Sequence, residues 1–321
     1  MRHHDVLVIG AGFGGLGMGI QLKRRGRDDF IIVEKDAGVG GTWHANRYPG
    51  AACDIPSLLY SFSFAPNPHW TRVYPRQAEI EAYLNDCVTR FELAPHLKLR
   101  TEVTSLEWDT AAQRWTVRAR QRNGEETTWT ARVVVNATGA LSRPVRPDLP
   151  GLADFKGTVM HTAQWHGELP LANRRVGVVG TGASAVQLVP RIVDKAAHLA
   201  LFQRTPAWVL PKRDKSIGSA MGWLCNSVPG VRQAMRALVY ALHEIRAPAF
   251  TRRPGILKAL EPLALRFLAH QVKDPAMREA LTPRYRMGCK RILIASDFYP
   301  ALQRRNAQLV TSPIARVVAD G

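Results

Sequence analysis

The chain is poor in cysteine, in acid and in long apolar runs. Its four cysteines, Cys53, Cys87, Cys225 and Cys289, stand far apart and form no CxxC pair, which argues against a zinc site or a dithiol redox centre and leaves no metal site to expect. A reduced, cytoplasmic protein fits that usage. No stretch offers about 18 uninterrupted apolar residues, so no membrane span is expected. The first strand-like run begins at Asp5, too early to leave room for a charged n-region, an apolar h-region and a cleavage site. Acidic residues number 26 against 44 Lys and Arg, a net charge of +18. Such an excess suits phosphates, nucleic acid or anionic lipid. The basic residues are scattered, with no aromatic-interleaved RNA pattern and no zinc-finger spacing, so nucleic acid is not the expected partner.

At 321 residues there is chain enough for two domains, each with its own core. DVLVIG, residues 5–10, has the continuous apolar character of a buried parallel strand. Glycines crowd behind it in Gly10-Ala11-Gly12-Phe13-Gly14-Gly15, a helix-compatible stretch runs to about Arg25, and FIIVEK supplies a second strand. In that setting GxGxxG has its physical meaning: Gly10 for the tight turn, Gly12 for close approach to a pyrophosphate, Gly15 for helix–strand packing. Glu34 closes the second strand 24 positions after Gly10. A carboxylate there accepts hydrogen bonds from both hydroxyls of a plain adenosine ribose, as in FAD or NAD.

RRVGVVGTGASAVQLV, from Arg174, repeats the arrangement, with the loop Gly180-Thr181-Gly182-Ala183-Ser184-Ala185. The following strand ends at Gln203-Arg204-Thr205, and Arg204 stands 24 positions after Gly180. The acid of the first unit has become a guanidinium, which chelates a phosphate but has nothing special to offer a ribose diol. The second site therefore reads as NADP-selective. An FAD site followed by an NADPH site moves hydride from nicotinamide to flavin. The fold class is α/β: two Rossmann-like dinucleotide-binding domains, with a helical excursion in the second.

Flavin disulfide reductases also pair two such domains, with a cysteine pair after a Gly-Gly-Thr. Here Gly40-Gly41-Thr42 is followed by Trp43, and Cys53 has no partner nearby. The continuation GGTWHANRYPGAACDIPSLLY, Gly40 to Tyr60, closely resembles the Baeyer–Villiger monooxygenases. Phe155, Gly157, His161 and Trp165 match that family's FxGxxxHxxxW fingerprint, although His166 stands where the family usually has Pro or Asp. Monooxygenases that oxygenate nitrogen or sulfur carry a similar linker ending in an aromatic and a lysine, and remain the alternative. RVVVNATGALSRPVRPDLPG, FQRTPAWVLP and MGCKRILIASDFYPALQRRNAQLV extend the resemblance over nearly the whole chain.

The resemblance implies an NADPH- and FAD-dependent enzyme that oxygenates a ketone with O2, through a flavin C4a-peroxide, to an ester or lactone. It makes Arg291 the catalytic arginine and Asp54 the carboxylate that orients it, and it sets Lys290 beside Arg204 and Thr205 at the 2′-phosphate. A guanidinium suits the first role because it stays protonated where a lysine could lose its proton. Taken without the family, Asp54 would read as a turn or N-cap residue before Ile-Pro-Ser. The expected cofactor-binding set comprises Gly10, Gly12, Phe13, Gly15, Glu34, Gly41, Thr42, Trp43, Asp54, Tyr60, Val103, Thr181, Gly182, Ala183, Ser184, Ala185, Gln187, Arg204, Thr205 and Lys290.

The expected domains are an FAD domain over 1–150, a fingerprint linker over 151–172, an NADP domain over 173–286 with a helical insert at 216–282, and a return segment over 287–321. Within the insert, VRQAMRALVYALHEI and ILKALEPLALRFLAHQV could lie on a membrane surface. The expectation is instead that they pack their leucine faces inward. The chain ends on Asp320-Gly321, a hairpin-forming pair without a return strand. That ending suggests a truncated flavin domain, with a non-catalytic nucleotide-binding remnant as the rival to an enzyme.

Overall fold

The structure is a computed structural model that describes residues 2–141, 143–165, 167, 169–253 and 255–321. His166 of the fingerprint lies outside the described residues. The chain divides into two compact units, Met1–Arg47 with Gln77–Val145 and Ala163–Trp165, and Tyr48–Arg76 with Arg146–Thr162 and His166–Gly321.

In the first unit, strand β1 (Arg2–Ile9) leads through the glycine loop into helix α1 (Phe13–Lys23) and strand β2 (Phe30–Val33). Helices α2 (Thr42–Ala45) and α3 (Gln77–Arg90) follow, then strands β3 (Leu97–Lys98), β4 (Thr101–Asp109), β5 (Arg114–Gln121) and β6 (Glu126–Asn136). Among the described residues these strands form one sheet in the order β3-β2-β1-β6-β5-β4. The β3-β2-β1-β6 half is parallel, while β5 and β4 run antiparallel as a hairpin extension. Leu7 and Val8, on opposite faces of β1, are both fully buried, which is why DVLVI needs no polar alternation. One face packs Leu7 and Val33 with Val117, Trp129 and Ala131.

In the second unit, strand β7 (Arg175–Val179), helix α4 (Ala183–Ile192) and strand β8 (His198–Phe202) repeat the strand–loop–helix–strand pattern. Strand β9 (Val209–Leu210) follows. Helices α5 (Ser219–Ser227), α6 (Val231–Glu244), α7 (Ala247–Thr251), α8 (Gly255–Lys258), α9 (Glu261–Gln271) and α10 (Pro275–Ala280) occupy the expected insert. Strand β10 (Leu293–Ile294), helix α11 (Phe298–Leu302) and strand β11 (Ala307–Val310) follow. The sheet β11-β8-β7 is parallel, and β9 pairs separately with β10.

Two expectations change. The compact units do not divide at residue 150, because residues 48–76 fold onto the second unit. Val73 N–H bonds the Lys215 carbonyl at 2.9 Å, Ile217 N–H bonds the Thr71 carbonyl at 2.8 Å, and the Arg72 guanidinium bonds Asp214 at 2.9 Å. The break falls after Arg47, inside the long Gly40 to Tyr60 motif. Nor do all the insert helices turn their apolar faces inward. Helix α9 buries Ala264 and Leu268 as expected, whereas α6 buries none of its residues and leaves Leu238 and Leu242 exposed. Periodicity fixes which residues share a face, not which way that face points.

Candidate functional site

The first cradle forms where β1 turns into α1. Gly10 adopts φ +101° and donates its N–H to the Val33 carbonyl at 2.8 Å, a conformation that favours glycine. A Cβ on Gly15 would lie 1.8 Å from the Gly10 carbonyl oxygen, so helix and loop touch with no room for a methyl. Gly12 caps the helix, and a Cβ there would meet only Gly41, at 3.6 Å from its Cα and 3.9 Å from its nitrogen, so the loop is far less crowded here than at Gly15. Glu34 lies one residue beyond β2 and is 5 % exposed. Its carboxylate accepts the Ala11 N–H at 2.7 Å through one oxygen and the Asp36 N–H at 2.9 Å through the other. Each oxygen keeps a second acceptor site, so the carboxylate is both a brace for the loop and a free acceptor.

Gly40 and Gly41 bring the next turn against this loop, with the Gly40 N–H bonded to the Ala11 carbonyl at 2.9 Å and Gly41 at φ +54°. Thr42 and Trp43 begin α2, and Gln77 donates to the Trp43 carbonyl from α3. The ring of Phe13 approaches that of Tyr83 at 6.2 Å. Val103 sits at a bulge in β4 and packs against the sheet core.

The second cradle copies the first in backbone but not in crowding. Gly180 also has φ +101° and bonds the Phe202 carbonyl at 2.9 Å, yet neither Gly180 nor Gly182 has an atom within 4 Å of a built Cβ. Thr181 Oγ1 donates to the Thr205 carbonyl at 2.8 Å. Arg204 is thereby held between two residues that bond the loop, Phe202 and Thr205, with its side chain exposed and in no ion pair with a described residue. Its neighbour Gln203 is buried and bonds the Ala280 carbonyl. Lys290 is exposed, with its ammonium 5.0 Å from the centre of the Tyr285 ring. No bond joins it to Arg204 or Thr205.

Asp54 and Arg291, 237 positions apart, form an ion pair. The carboxylate is 24 % exposed and the guanidinium 58 %. Backbone pairing fixes the arginine's segment: Leu293 N–H bonds the Trp208 carbonyl at 2.8 Å and Ala295 N–H the Leu210 carbonyl at 3.0 Å. The aspartate's loop is held from α4. Gln187 accepts from the Tyr48 hydroxyl at 2.9 Å and donates to the Ala52 carbonyl at 3.0 Å. Gln187, expected at the cofactor, thus commits its amide to the loop. Gly50 packs so closely that a Cβ would lie 2.6 Å from the Gln187 carbonyl oxygen, and its φ is +87°.

Lys212 had no motif to reveal it, and Tyr48, though inside the Gly40 to Tyr60 motif, was not expected at the site. Lys212 Nζ donates to the Cys53 carbonyl at 3.3 Å and lies 5.0 Å from the Tyr74 ring centre. Burial lowers its pKa, opposed by Asp214, the Cys53 thiol and Asp54. Tyr48 is buried, and that burial raises its phenol above the usual value. Burial likewise pushes the Cys53 thiol up to about 11. Tyr60 closes the loop with its N–H on the Ser57 carbonyl at 3.0 Å.

Comparison with known proteins follows the same lines. The family described as pyridine nucleotide-disulphide oxidoreductase matches residues 7–223. A Baeyer–Villiger monooxygenase of Streptomyces coelicolor is 48 % identical over 98 % of this chain and 60 % of its own length. A solved steroid monooxygenase bound to NADP superposes with a TM-score of 0.85 at 31 % identity, covering 99 % of this chain and 68 % of that one. The chain belongs to the Baeyer–Villiger monooxygenase family. A cyclohexanone monooxygenase with ε-caprolactone bound superposes at a TM-score of 0.84 and 31 % identity, over 99 % of this chain and 70 % of that one. The chain spans about 60 % of the length of the curated Baeyer–Villiger monooxygenases it matches. Unlike the disulfide oxidoreductases with which it shares its framework, this Baeyer–Villiger family member has its four cysteines unpaired, and only Cys289 is exposed.

Proposed function

We propose that this protein is an NADPH- and FAD-dependent monooxygenase that inserts one atom of O2 beside a ketone carbonyl to give an ester or lactone. The observation that carries the reading is the Asp54–Arg291 pair, a fixed cation held by a carboxylate in a chain with two dinucleotide cradles. FAD fits the first cradle, because the loop is uncrowded at Gly12 and Glu34 keeps an acceptor site on each oxygen. NADPH fits the second, where Gly180 and Gly182 are unobstructed and Arg204 is in no ion pair with a described residue.

When bound, the two cofactors supply the hydride and the activation of O2. The chain's own contribution is electrostatic. Negative charge grows on the oxygen that attacks the ketone and then on the former carbonyl oxygen. Arg291 stabilises that charge without reorganising, because Asp54 already fixes its orientation. Arg204 selects the cofactor by pairing with a 2′-phosphate, and Lys290 adds positive charge on the same unit.

Replacing Arg291 with Ala removes the fixed cation, and loss of one such group costs roughly 100- to 1,000-fold in rate. NADPH should still reduce the flavin, so cofactor oxidation continues while ester, measured by mass spectrometry on a panel of linear, cyclic and aromatic ketones, disappears. Undiminished ester would remove Arg291 from the mechanism. A purified chain without flavin absorbance would refute the reading as a whole.

A further inference from the structure

The helices between Ser219 and Lys258 present a surface that the proposed reaction leaves unused. Helix α6 carries Ala234, Leu238, Ala241, Leu242 and Ile245 at helical spacing, so they share one face. All five are exposed, with Leu238 at 60 % and Ile245 at 75 %. Its two arginines do the reverse. Arg236 donates to the Leu58 carbonyl, Arg232 donates to Asn226, and both are half-buried. The helix thus sets Arg232 and Arg236 beside Val231, Met235 and Val239 on its half-buried side and leaves its leucines in water. Its neighbours continue the surface: α5 and α7 both pack on α6 and expose Trp223 and Phe250 at 64 % and 59 %. The inner faces of α7 and α8 are not loose, since Ala249 and Leu257 pack with Trp208 and Met287. Apolar surface of this extent, rimmed by polar residues, marks a docking site.

The charges around this face are predominantly positive. Arg246, Arg252, Arg253 and Lys258 are exposed and in no ion pair with a described residue. Glu244 is the sole acid between Lys215 and Lys258. Tyr240 and Trp223 add rings with a polar tip, the side chains favoured where lipid meets water. We propose that this helical face docks on an anionic lipid bilayer, α6 lying in the plane of the interface with its leucine stripe in the acyl boundary and the four basic residues on lipid phosphates. No helix among the described residues is long and apolar enough to cross a membrane, so the contact is with one leaflet. A second copy of the chain fits less well, because a two-fold contact would set one basic rim against another. The proposal does not depend on the reaction proposed above.

Flotation of the purified chain with vesicles tests it. Vesicles of equal parts phosphatidylglycerol and phosphatidylcholine should carry the protein upward, with affinity at least about tenfold above that for phosphatidylcholine alone. Binding should weaken as salt is raised. Because both side chains are exposed, L238E/I245E should melt like the parent and lose vesicle binding by about tenfold or more. R252E/R253E should weaken binding to the anionic vesicles alone. Absence of binding to anionic vesicles overturns the proposal, as does full binding by L238E/I245E. A dimer in light scattering that L238E/I245E converts to monomer would assign the face to a second copy and overturn it equally.

Discussion

Gly15→Ala is the sharpest test of the first cradle. The added methyl would stand 1.8 Å from the Gly10 carbonyl oxygen and 3.5 Å from a Val8 methyl. Neither neighbour is the yielding end of a long side chain. To reach the 3.4 Å of ordinary contact, helix and loop must separate by about 1.6 Å, a displacement that close-packed interiors resist. Overpacking of this kind costs roughly 1–3 kcal/mol, a cost set here by helix α1 backing away from β1. The loop that receives the pyrophosphate moves with it, and a misplacement near 1 Å costs on the order of 100-fold where geometry matters. The expected result is a lower melting temperature together with flavin content below detection, read by absorbance after gel filtration. Gly182→Ala is the matched control for the methyl itself, since nothing lies within 4 Å of its added carbon, and it should leave the melting temperature unchanged. A Gly15→Ala protein that stays yellow and melts like the parent would refute the packing argument.

Other expectations follow from the second unit and the buried thiol. Arg204→Ala should weaken NADPH binding by about 10- to 100-fold, the worth of a lost charge-assisted contact, and leave NADH unchanged; equal weakening of both, by fluorescence titration, would count against a phosphate contact. Because Arg204 makes no ion pair with a described residue, the same variant should keep its stability. Cys53 should resist iodoacetamide at neutral pH while exposed Cys289 is alkylated, as peptide mass spectrometry will show. Burial raises the Cys53 thiol to about 11, so the unfolded chain ionises first. Its contribution to stability is complete below about pH 8.5 and is lost as pH climbs to about 11, roughly 3 kcal/mol in all. Urea unfolding of Cys53→Ala should therefore show a flatter alkaline limb than the parent, and an identical limb would contradict the burial.

The parts of this structure that could be read beforehand are those whose cause is local. Strand, glycine loop, helix and a charged residue 24 positions on are all set within one stretch of chain, and both cradles follow that pattern. Asp54 with Arg291 could be anticipated only through family resemblance, because no short-range rule ties residues 237 positions apart. Gln187 shows the limit clearly. Its position one turn into α4 suggests a nucleotide contact, but nothing local announces its bonds to Tyr48 and Ala52, more than 130 positions earlier. Lys212 follows a proline in an unremarkable segment, and its burial against Tyr74 arises from tertiary packing alone. The antiparallel hairpin β4–β5, Thr101 to Gln121, extends the sheet without any glycine-rich signature of the kind that marked the parallel half. Helix α6 displays a leucine stripe in sequence, but its outward orientation depends on which partners its arginines find.

Helix α4 performs two tasks at once. Its first turn is the floor of the open glycine loop, and one turn further on Gln187 grips the segment that carries Asp54. The glycine loop and the segment that carries Asp54 therefore share one support, and a change in this helix reaches both.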